Sequence, residues 1–229
     1  MQTAEFEPVK IDLQFHTDGS EDGRTTKENV GQFLQGGTLD IIAITDHDTI
    51  DTALRLKERH PLAIIVGVEV TTAEGELVCL GVREPIEKGM SAVETSQAAH
   101  AQGGKTMLQH PFHKNGLSSE VARRVHAVDR IDLVEVNDGR DMLKWWYNIW
   151  AQLFAQQLGI PMVSNGDTHG PPGVGRSHTK VSRMPDVNDM NDVIDTLTYQ
   201  QVGRATRFAG VRALAQPHLA RKEKARAAA

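Results

Sequence analysis

The sequence predicts a single α/β domain in which parallel strands alternate with helices around a barrel. Six short runs of apolar and β-branched residues recur along the chain, and the segments between them are long enough for crossover helices. Their apolar character on both faces is typical of parallel strands that are covered on both sides. The six runs span residues 11–15, 41–45, 62–68, 105–109, 131–136 and 160–166.

Each of these runs ends at a polar side chain, so the pattern repeats strand after strand. The side chains are His16; Asp46, His47 and Asp48; Glu69; His110; Asn137 and Asp138; and Asp167 and His169. The carboxyl ends of the strands share one rim of a (β/α) barrel, and that rim carries the chemistry. A single histidine of this kind is usually a satisfied core residue or a helix cap. The repetition instead favours one polar cluster at the rim.

The spacing of apolar residues, helix-capping residues and helix-breaking prolines and glycines predict where the other helices and strands begin and end. Thr26 is the expected N-cap of the first helix, which ends at two glycines, and Ser91 with Glu94 forms a capping box. Pro61 stops the helix that precedes the third strand. The predicted helices cover residues 27–37, 49–60, 91–103, 117–128, 141–158 and 189–201, a hairpin turns at residues 74–75, and a last strand covers residues 177–182.

The bulk properties fit one cytoplasmic domain. A chain of 229 residues with 39% hydrophobic content is long enough for one sizeable core, and a net charge of −5 predicts no nucleic-acid module. Cys79 is the only cysteine, and no run of apolar residues is long enough for a membrane span. We expect a lead-in at residues 1–9, the barrel at residues 10–215, and a charged, fraying tail at residues 216–229.

The polar residues of the predicted rim have the composition of a metal site. Imidazole and carboxylate groups together bind Zn, Fe and Mn ions, and the two oxygens of Glu69 can bridge a pair of them. Asp46, beside His47, can orient a metal ligand through a hydrogen bond without itself contacting the metal. Bound metal makes hydroxide available at neutral pH, so hydrolysis is the natural reaction class. No serine-hydrolase, phosphate-loop or dinucleotide motif competes with this interpretation.

Basic residues near the same rim are candidates for anion recognition. Arg140 follows the fifth strand end, and Arg176 follows the turn-rich segment GPPGVG. A guanidinium group holds a phosphate through two parallel hydrogen bonds. A surface salt bridge is the usual role of a single arginine. Phosphate binding is assigned to Arg140 and Arg176 because both lie on loops next to the predicted rim. His113 and Lys114, just past His110, are further candidates.

Read in order, the motifs resemble those of the PHP (polymerase and histidinol phosphatase) family of metal-dependent phosphoesterases. The family opens with D-L-H-x-H-T and an S-D-G loop, which here read DLQFHT and SEDG. It continues with T-D-H-D, G-x-E and A-H-P, here TDHD, GVE and QHP. E-V-x-N-G-R stands as EVNDGR, and S-D-A-H with G-R-x-x-T stands as GDTH and GRSHT. Each motif alone is weak, but the ordered set from Lys10 to Val181 is specific.

The resemblance implies a distorted (β/α)7 TIM-like barrel with up to three metal ions. Carried over by position, the ligands of the first, second and third ions are Gln14, His16, Glu69 and Asp167; Glu69 and His110; and Asp22, His47 and His169. The implied catalytic group is a metal-bound water with Glu69, His110 and Asp167, and the implied phosphate contacts are Arg140, Arg176 and His113. The extra residue in SEDG leaves Glu21 or Asp22 as the third-site carboxylate, and Asp22, next to the glycine, is preferred.

Two departures from the family pattern weaken the predicted site. Gln14 replaces a histidine and offers only a neutral amide oxygen, so the first ion should bind less tightly. Asn137 lies near a position where some members have a histidine for the second ion, and Val78 and Cys79 lie where others place one. We therefore expect two ions rather than three.

The predicted function is that of a metal-dependent phosphoesterase acting on a small phosphomonoester, such as a nucleotide or a sugar phosphate, with Mn, Fe or Zn as the cofactor. One alternative is a barrel with a depleted metal site that serves as a ligand-binding or regulatory protein, which Gln14 and Asn137 would favour. Another is a metallohydrolase of non-phosphate esters. The expected partner is the small-molecule ester, with no nucleic acid or membrane. The aromatic helix at residues 141–158 is expected to pack on the sheet, with a homo-oligomer contact left open.

Overall fold

The computed structural model describes residues 7–138 and 145–202. The strands are β1 (Val9–Phe15), β2 (Ile41–Ile44), β3 (Ile64–Thr72), β4 (Gly75–Leu80), β5 (Lys105–Leu108), β6 (Leu133–Asp138), β7 (Met162–Asn165), β8 (Thr179–Val181) and β9 (Leu197–Val202). The helices are α1 (Lys27–Gln35), α2 (Asp51–Arg59), α3 (Ala92–Ala101), α4 (Ser119–Val128), α5 (Trp145–Leu158) and α6 (Met190–Asp195). Within these residues, no helix is both long enough and apolar enough to cross a bilayer.

The described strands form one sheet in the order β7-β6-β5-β4-β3-β2-β1-β8-β9. Two parallel sets, β1-β2-β3 and β5-β6-β7, are joined by β4, which runs antiparallel to both of its neighbours. The predicted hairpin is present, with Thr72 paired to Gly75. Because β4 runs in reverse, it begins at the rim where the parallel strands end. β8 and β9 are antiparallel additions beside β1.

Hydrogen bonds join β7 and the loop after it to β1 and β8, on the other side of the barrel opening. The Leu13 N–H donates to Asn165 Oδ1 at 2.9 Å, and the His16 N–H donates to the Thr168 carbonyl at 2.9 Å. The Ser164 N–H donates to Thr179 Oγ1 at 2.8 Å. The sheet is therefore a nearly closed, distorted barrel, as the sequence predicted.

Apolar residues fill both sides of the sheet. Strands β1 to β8 each contribute to one interior cluster, which includes Leu13, Ala43 and Ile65, and α6 adds Met190 to it. On the outside, Ile42 and Ile44 of β2 pack with Leu56 of α2. Both faces of β2 are thus buried, and this is why its sequence is a continuous apolar run rather than an alternating one.

Three sequence predictions need correction. The predicted helix at residues 189–201 is α6 followed by β9, because Thr196 ends the helix through its hydroxyl bond to the Val193 carbonyl and the next residues pair with β8. Glu69 lies inside β3, which continues into the hairpin, and not after its end. Most of the aromatics of α5 were expected to pack on the sheet, but Trp146 and Trp150 are 41% and 54% exposed, whereas Phe154 is buried. The predicted frayed tail and the start of the 141–158 helix lie outside the described residues.

Candidate metal centre

Seven of the predicted ligands meet at one rim of the barrel. They follow β1, β2, β5 and β7 at their carboxyl ends or lie on β3, and they are called here the rim cluster: His16, Asp22, His47, Glu69, His110, Asp167 and His169. Gln14, at the end of β1, contacts this cluster through Glu69. The strand-end rule of (β/α) barrels therefore holds in this distorted sheet.

The first expected ligand set converges around His16. Its Nε2 atom lies 3.0 Å from Glu69 Oε2 and 3.4 Å from Asp167 Oδ1, and all three side chains are buried. The Gln14 amide nitrogen donates to Glu69 Oε2 at 3.2 Å. The Gln14 amide oxygen is buried and has no hydrogen-bond partner within the described residues. A buried acceptor of this kind is costly unless a ligand satisfies it.

A second set contains three histidines and one aspartate. Asp22 Oδ2 lies 3.3 Å from His169 Nε2 and 3.7 Å from His47 Nε2. The His16 ring stacks on His47 and His169, at centroid distances of 4.7 and 4.2 Å. The ligand atoms of all four residues lie within 4.8 Å of one another. Glu21, the other carboxylate considered for this position, is exposed.

Glu69 joins these groups to His110. Its Oε2 atom faces His16, whereas its Oε1 atom lies 3.2 Å from His110 Nε2 and accepts from the Gln109 amide at 3.1 Å. The His110 N–H in turn donates to Glu135 Oε2 at 2.7 Å. One carboxylate therefore points its two oxygens at two imidazoles, as a bridging ligand would.

Asp46 and Asp12 hold the loops that carry the cluster. Asp46 accepts from the Thr17 N–H and hydroxyl at 2.7 and 2.6 Å and from the Ser20 hydroxyl at 2.9 Å, which fastens the loop after β1 to the end of β2. Asp12 accepts from the Gly166 N–H at 3.1 Å, beside Asp167. Burial raises the pKa of Asp12 to about 7. The hydrogen bonds of Asp46 to Thr17 and Ser20 show that it holds the loop after β1, rather than orienting the His47 ring directly.

The backbone turns sharply where the ligands are presented. Asp48, His110 and Asp167 have positive φ angles of 54°, 23° and 41°. Such a conformation is uncommon in residues other than glycine, and strained residues tend to cluster at functional sites. At His110 and Asp167 the left-handed turn comes two residues after the end of a strand, where it redirects the chain at the rim.

Charges of opposite sign alternate through the cluster. Burial disfavours the ionised form of Glu69, but His47, His110 and His16 hold the pKa of that carboxyl well below its usual range. Burial likewise opposes the charging of His110, but Glu69 raises its pKa to about 10. Divalent metal ions bind deprotonated imidazoles and carboxylates, so binding would release these imidazole protons. The donor set and the orphaned Gln14 oxygen fit divalent transition metal ions.

The predicted phosphate-binding residues have mixed outcomes. Arg140 lies outside the described residues, as does the side chain of Asn137. Arg176 has a buried Nη1 atom without a hydrogen-bond partner in the described part of the chain. The His113 ring lies 6.1 Å from the His110 ring and contacts Tyr147 in a tilted arrangement at a centroid distance of 4.2 Å, whereas Lys114 is exposed.

The sequence prediction missed two residues beside the cluster. Gln109 donates to Glu69, and Glu76 of β4 has its Oε2 atom 4.0 Å from His110 Nε2. The signal for Glu76 was the predicted hairpin itself: Glu69 pairs with Val78, so residue 76, two positions away, lies on the same face. Val78 and Cys79, which stand where relatives have a histidine, are buried in apolar clusters.

Other proteins are similar to this chain in sequence or in fold. A sequence profile described as PHP-associated matches residues 145–206. Uncharacterized protein MJ1587 from Methanocaldococcus jannaschii is 30% identical over 141 residues, which cover 56% of this chain and 81% of that protein. The sequence similarity thus extends beyond the matched profile.

Three solved structures are similar in fold at low sequence identity. PsfC from Pseudomonas syringae PB-5123 has a TM-score of 0.66 at 15% identity, over 96% of this chain and 100% of that one. A proposed metal-dependent phosphoesterase from Bifidobacterium adolescentis has a TM-score of 0.58 at 16% identity, over 84% and 98%. Endonuclease Q, bound to a 27-mer duplex with an abasic lesion, has a TM-score of 0.59 at 15% identity, over 82% and 56%. Together with the profile match and the relative from Methanocaldococcus, the ordered motifs establish that the chain belongs to the PHP family of metal-dependent phosphoesterases.

Proposed function

We propose that this chain is a metal-dependent phosphoesterase that hydrolyses a small phosphomonoester, such as a nucleotide or a sugar phosphate. The observation that carries the proposal is the convergence of three imidazoles and three carboxylates, all buried except the half-buried His47, in one cluster centred on His16. The description of the Bifidobacterium neighbour as a metal-dependent phosphoesterase supports the same reaction class.

The proposed ligands divide the rim cluster into sites that share Glu69. Gln14, His16, Glu69 and Asp167 would hold one ion, Glu69 and His110 a second, and Asp22, His47 and His169 a third. Because Gln14 is a neutral donor, we propose two tightly held ions, with Mn, Fe or Zn as candidates. When bound, the ions would supply a nucleophile at neutral pH and would neutralise charge on the phosphoryl group.

The side chains of this site would orient the substrate and handle protons. Glu69 keeps its two oxygens on two different imidazoles, so it links the two parts of the cluster. The buried Nη1 of Arg176 has a hydrogen bond to give, and a phosphate oxygen is a suitable acceptor. The His113 ring lies 6.1 Å from the His110 ring, so His113 can contact a substrate at the edge of the cluster. Arg140 retains its proposed role as a second phosphate contact from the sequence alone.

A nucleic-acid phosphodiester is the second candidate substrate, because endonuclease Q shares the fold and was captured with duplex DNA. The net charge of −5 argues against it, since proteins that track a nucleic-acid backbone are usually basic. The two substrates differ in charge and size, so a direct comparison of turnover separates them.

The test combines metal analysis with a substrate screen. The purified chain should contain about two divalent ions, and nucleoside monophosphates or sugar phosphates should be hydrolysed in a manner that chelation abolishes and Mn, Fe or Zn restores. Asp167→Asn and His47→Ala should each lower turnover at least about 100-fold, since even groups behind metal ligands contribute 10- to 100-fold. Asp51→Asn, on the exposed first turn of α2, is the matched control.

Three results would contradict the proposal. Wild-type turnover by the Asp167 and His47 variants would exclude the cluster as the site. Faster cleavage of an abasic duplex than of any monoester would replace the monoester by a nucleic acid. Hydrolysis of carboxylic esters that survives Arg176→Ala, without release of phosphate from any substrate, would favour the non-phosphate alternative.

A further inference from the structure

Glu76 is a carboxylate of this site that the family motifs do not include. It lies on β4, near the start of the strand, and Glu69 lies on β3 in the same hairpin. The register pairs Glu69 with Val78 and Thr71 with Glu76. Residues two apart in a strand share a face, so Glu76 is the diagonal neighbour of Glu69 on the inner face of the barrel.

The carboxylate of Glu76 meets the rim cluster on the side of His110. Its Oε2 atom lies 4.0 Å from His110 Nε2, which itself lies 3.2 Å from Glu69 Oε1. Ligand atoms of Glu76, Glu69 and His47 also lie within 4.8 Å of one another. Donors bound at about 2.0–2.2 Å to a common ion are separated by roughly 3–4.4 Å. The His110, Glu69 and Glu76 atoms are therefore close to the spacing that one ion requires.

Two further observations indicate a cation at this place. Two carboxylates on adjacent positions of one inner face repel each other unless a positive charge lies between them. Independently, the wholly buried amide of Gln14 bonds Glu69 through its nitrogen and leaves its oxygen without a partner within the described residues. The orphaned acceptor and the pair of close carboxylates both favour an electropositive group at this place. No Lys or Arg among the described residues contacts Glu69 or Glu76, and the imidazole of His110 supplies positive charge only while it is protonated, so a metal ion bound by neutral His110 would supply that charge instead.

We propose that Glu76 is a ligand of the second metal ion, together with Glu69 and His110. Glu76 would supply the donor that Val78 and Cys79 do not provide in this chain, so the second site would be rebuilt rather than depleted. This inference rests on the proposed function, because it assigns a ligand of that same metal site. Carboxylate oxygens suit Mn²⁺ well, so Mn²⁺ is the probe ion.

The test measures Mn²⁺ binding by the metal-free chain, by equilibrium dialysis and titration calorimetry. The wild-type chain should bind two equivalents, and Glu76→Gln should raise the dissociation constant of one of them at least about tenfold while leaving the other unchanged. Glu74→Gln is the matched control: it removes the same charge from the same hairpin, where Glu74 contacts Arg124 and the Ala92 N–H instead. This control should bind as the wild type does.

Thermal unfolding with and without Mn²⁺ separates a ligand from a structural residue. In chelator, Glu76→Gln should be at least as stable as the wild type, because it removes repulsion with Glu69, but Mn²⁺ should raise its Tm less. Equal loss of stability with and without Mn²⁺, or unchanged binding of both ions, would overturn the assignment. If the wild-type chain bound no Mn²⁺ at all, the proposed function would fail first, and the assignment of Glu76 would fail with it.

Discussion

Histidines lie between carboxylates at both ends of this barrel, but the two clusters differ in how completely their members are paired. At the end opposite the rim, His100 of α3 donates through Nδ1 to Asp129 and through Nε2 to Asp132, each at 2.7 Å. Lys105 and Arg130 pair with the second oxygen of Asp132, and the Ser96 hydroxyl donates to Asp129. This group is called here the basal cluster.

The basal cluster has every property of a structural ion-pair network. Both ring nitrogens of His100 are bonded, and Asp132 also accepts from the Thr106 N–H at 2.9 Å. Two cations balance the carboxylates, so no further ligand is required. In the rim cluster, by contrast, the described side chains around Glu69 are imidazoles, amides and the carboxylate of Glu76, with no lysine or arginine among them, and the Gln14 oxygen has no partner in the described part of the chain.

The difference shows that composition alone does not identify a metal site. His, Asp and nearby polar groups occur in both places. Among the described residues, however, only the rim cluster of the two leaves a buried acceptor unsatisfied and brings several imidazoles together without a lysine or arginine on Glu69. Completeness of pairing, rather than the presence of histidine, therefore distinguishes the proposed catalytic end from the structural end.

Glu69→Gln should have the largest effect and tests whether the rim cluster, unlike the basal cluster, binds metal and supports turnover. Because Glu69 joins the two parts of the rim cluster, its loss should lower turnover at least about 100-fold and reduce the bound metal. In chelator this variant should be less stable than the wild type, since the buried imidazoles of His16 and His110 lose the carboxylate with which they pair. Steady-state kinetics with elemental analysis provides the measurement. Glu58→Gln, exposed on α2, is the control, and a Glu69→Gln variant that kept its metal and its turnover would remove the distinction between the ends.

The rim cluster was largely predictable because its residues follow parallel strands. Periodicity located the strands before His16, His47, His110 and Asp167, and the shared rim of such strands then brought distant positions together. Glu76 escaped this reasoning because it lies near the start of an antiparallel strand. A reversed strand begins at the rim where the others end, so the relevant signal was hairpin register and not a strand end.

The basal cluster and strand β9 were not predictable from these patterns. His100 lies on α3, whereas Asp129 and Asp132 lie in the connection between α4 and β6, and only the packing of α3 against α4 and this connection brings them together. The sequence after Asp189 has apolar spacing that suits a helix, but pairing with β8 makes Leu197–Val202 a strand. Both depend on tertiary contacts that a local pattern does not contain.

An intermediate effect is expected at the basal cluster. His100→Ala removes two hydrogen bonds to carboxylates, and we expect it to lower the free energy of unfolding by about 1–2 kcal/mol. Turnover and metal content should be unchanged, because His100 contributes nothing to the rim. Denaturant unfolding in chelator, alongside the substrate assay, measures both. Loss of activity at full stability would show that the two ends are coupled and that the separation drawn between them is incorrect.

The smallest effect is the pH dependence of that stability difference, and its sign follows from the pairing. Hydrogen bonds to Asp132, opposed by burial, raise the pKa of His100 above its ordinary value of 6.5. A group with a raised pKa stabilises the fold fully below its unfolded pKa and loses that contribution as the pH rises through the folded pKa.

Asp132 has the opposite dependence. Burial opposes its ionisation, but His100 lowers its pKa below 3.8, so its contribution is lost only as the pH falls through that lowered value. The difference in unfolding free energy between wild type and His100→Ala should therefore be larger at pH 6 than at pH 9. Denaturant titrations at the two pH values in chelator make the comparison without interference from metal binding. A difference that did not change with pH would mean that His100 stabilises the base of the barrel as a neutral hydrogen-bonding group and not as a cation.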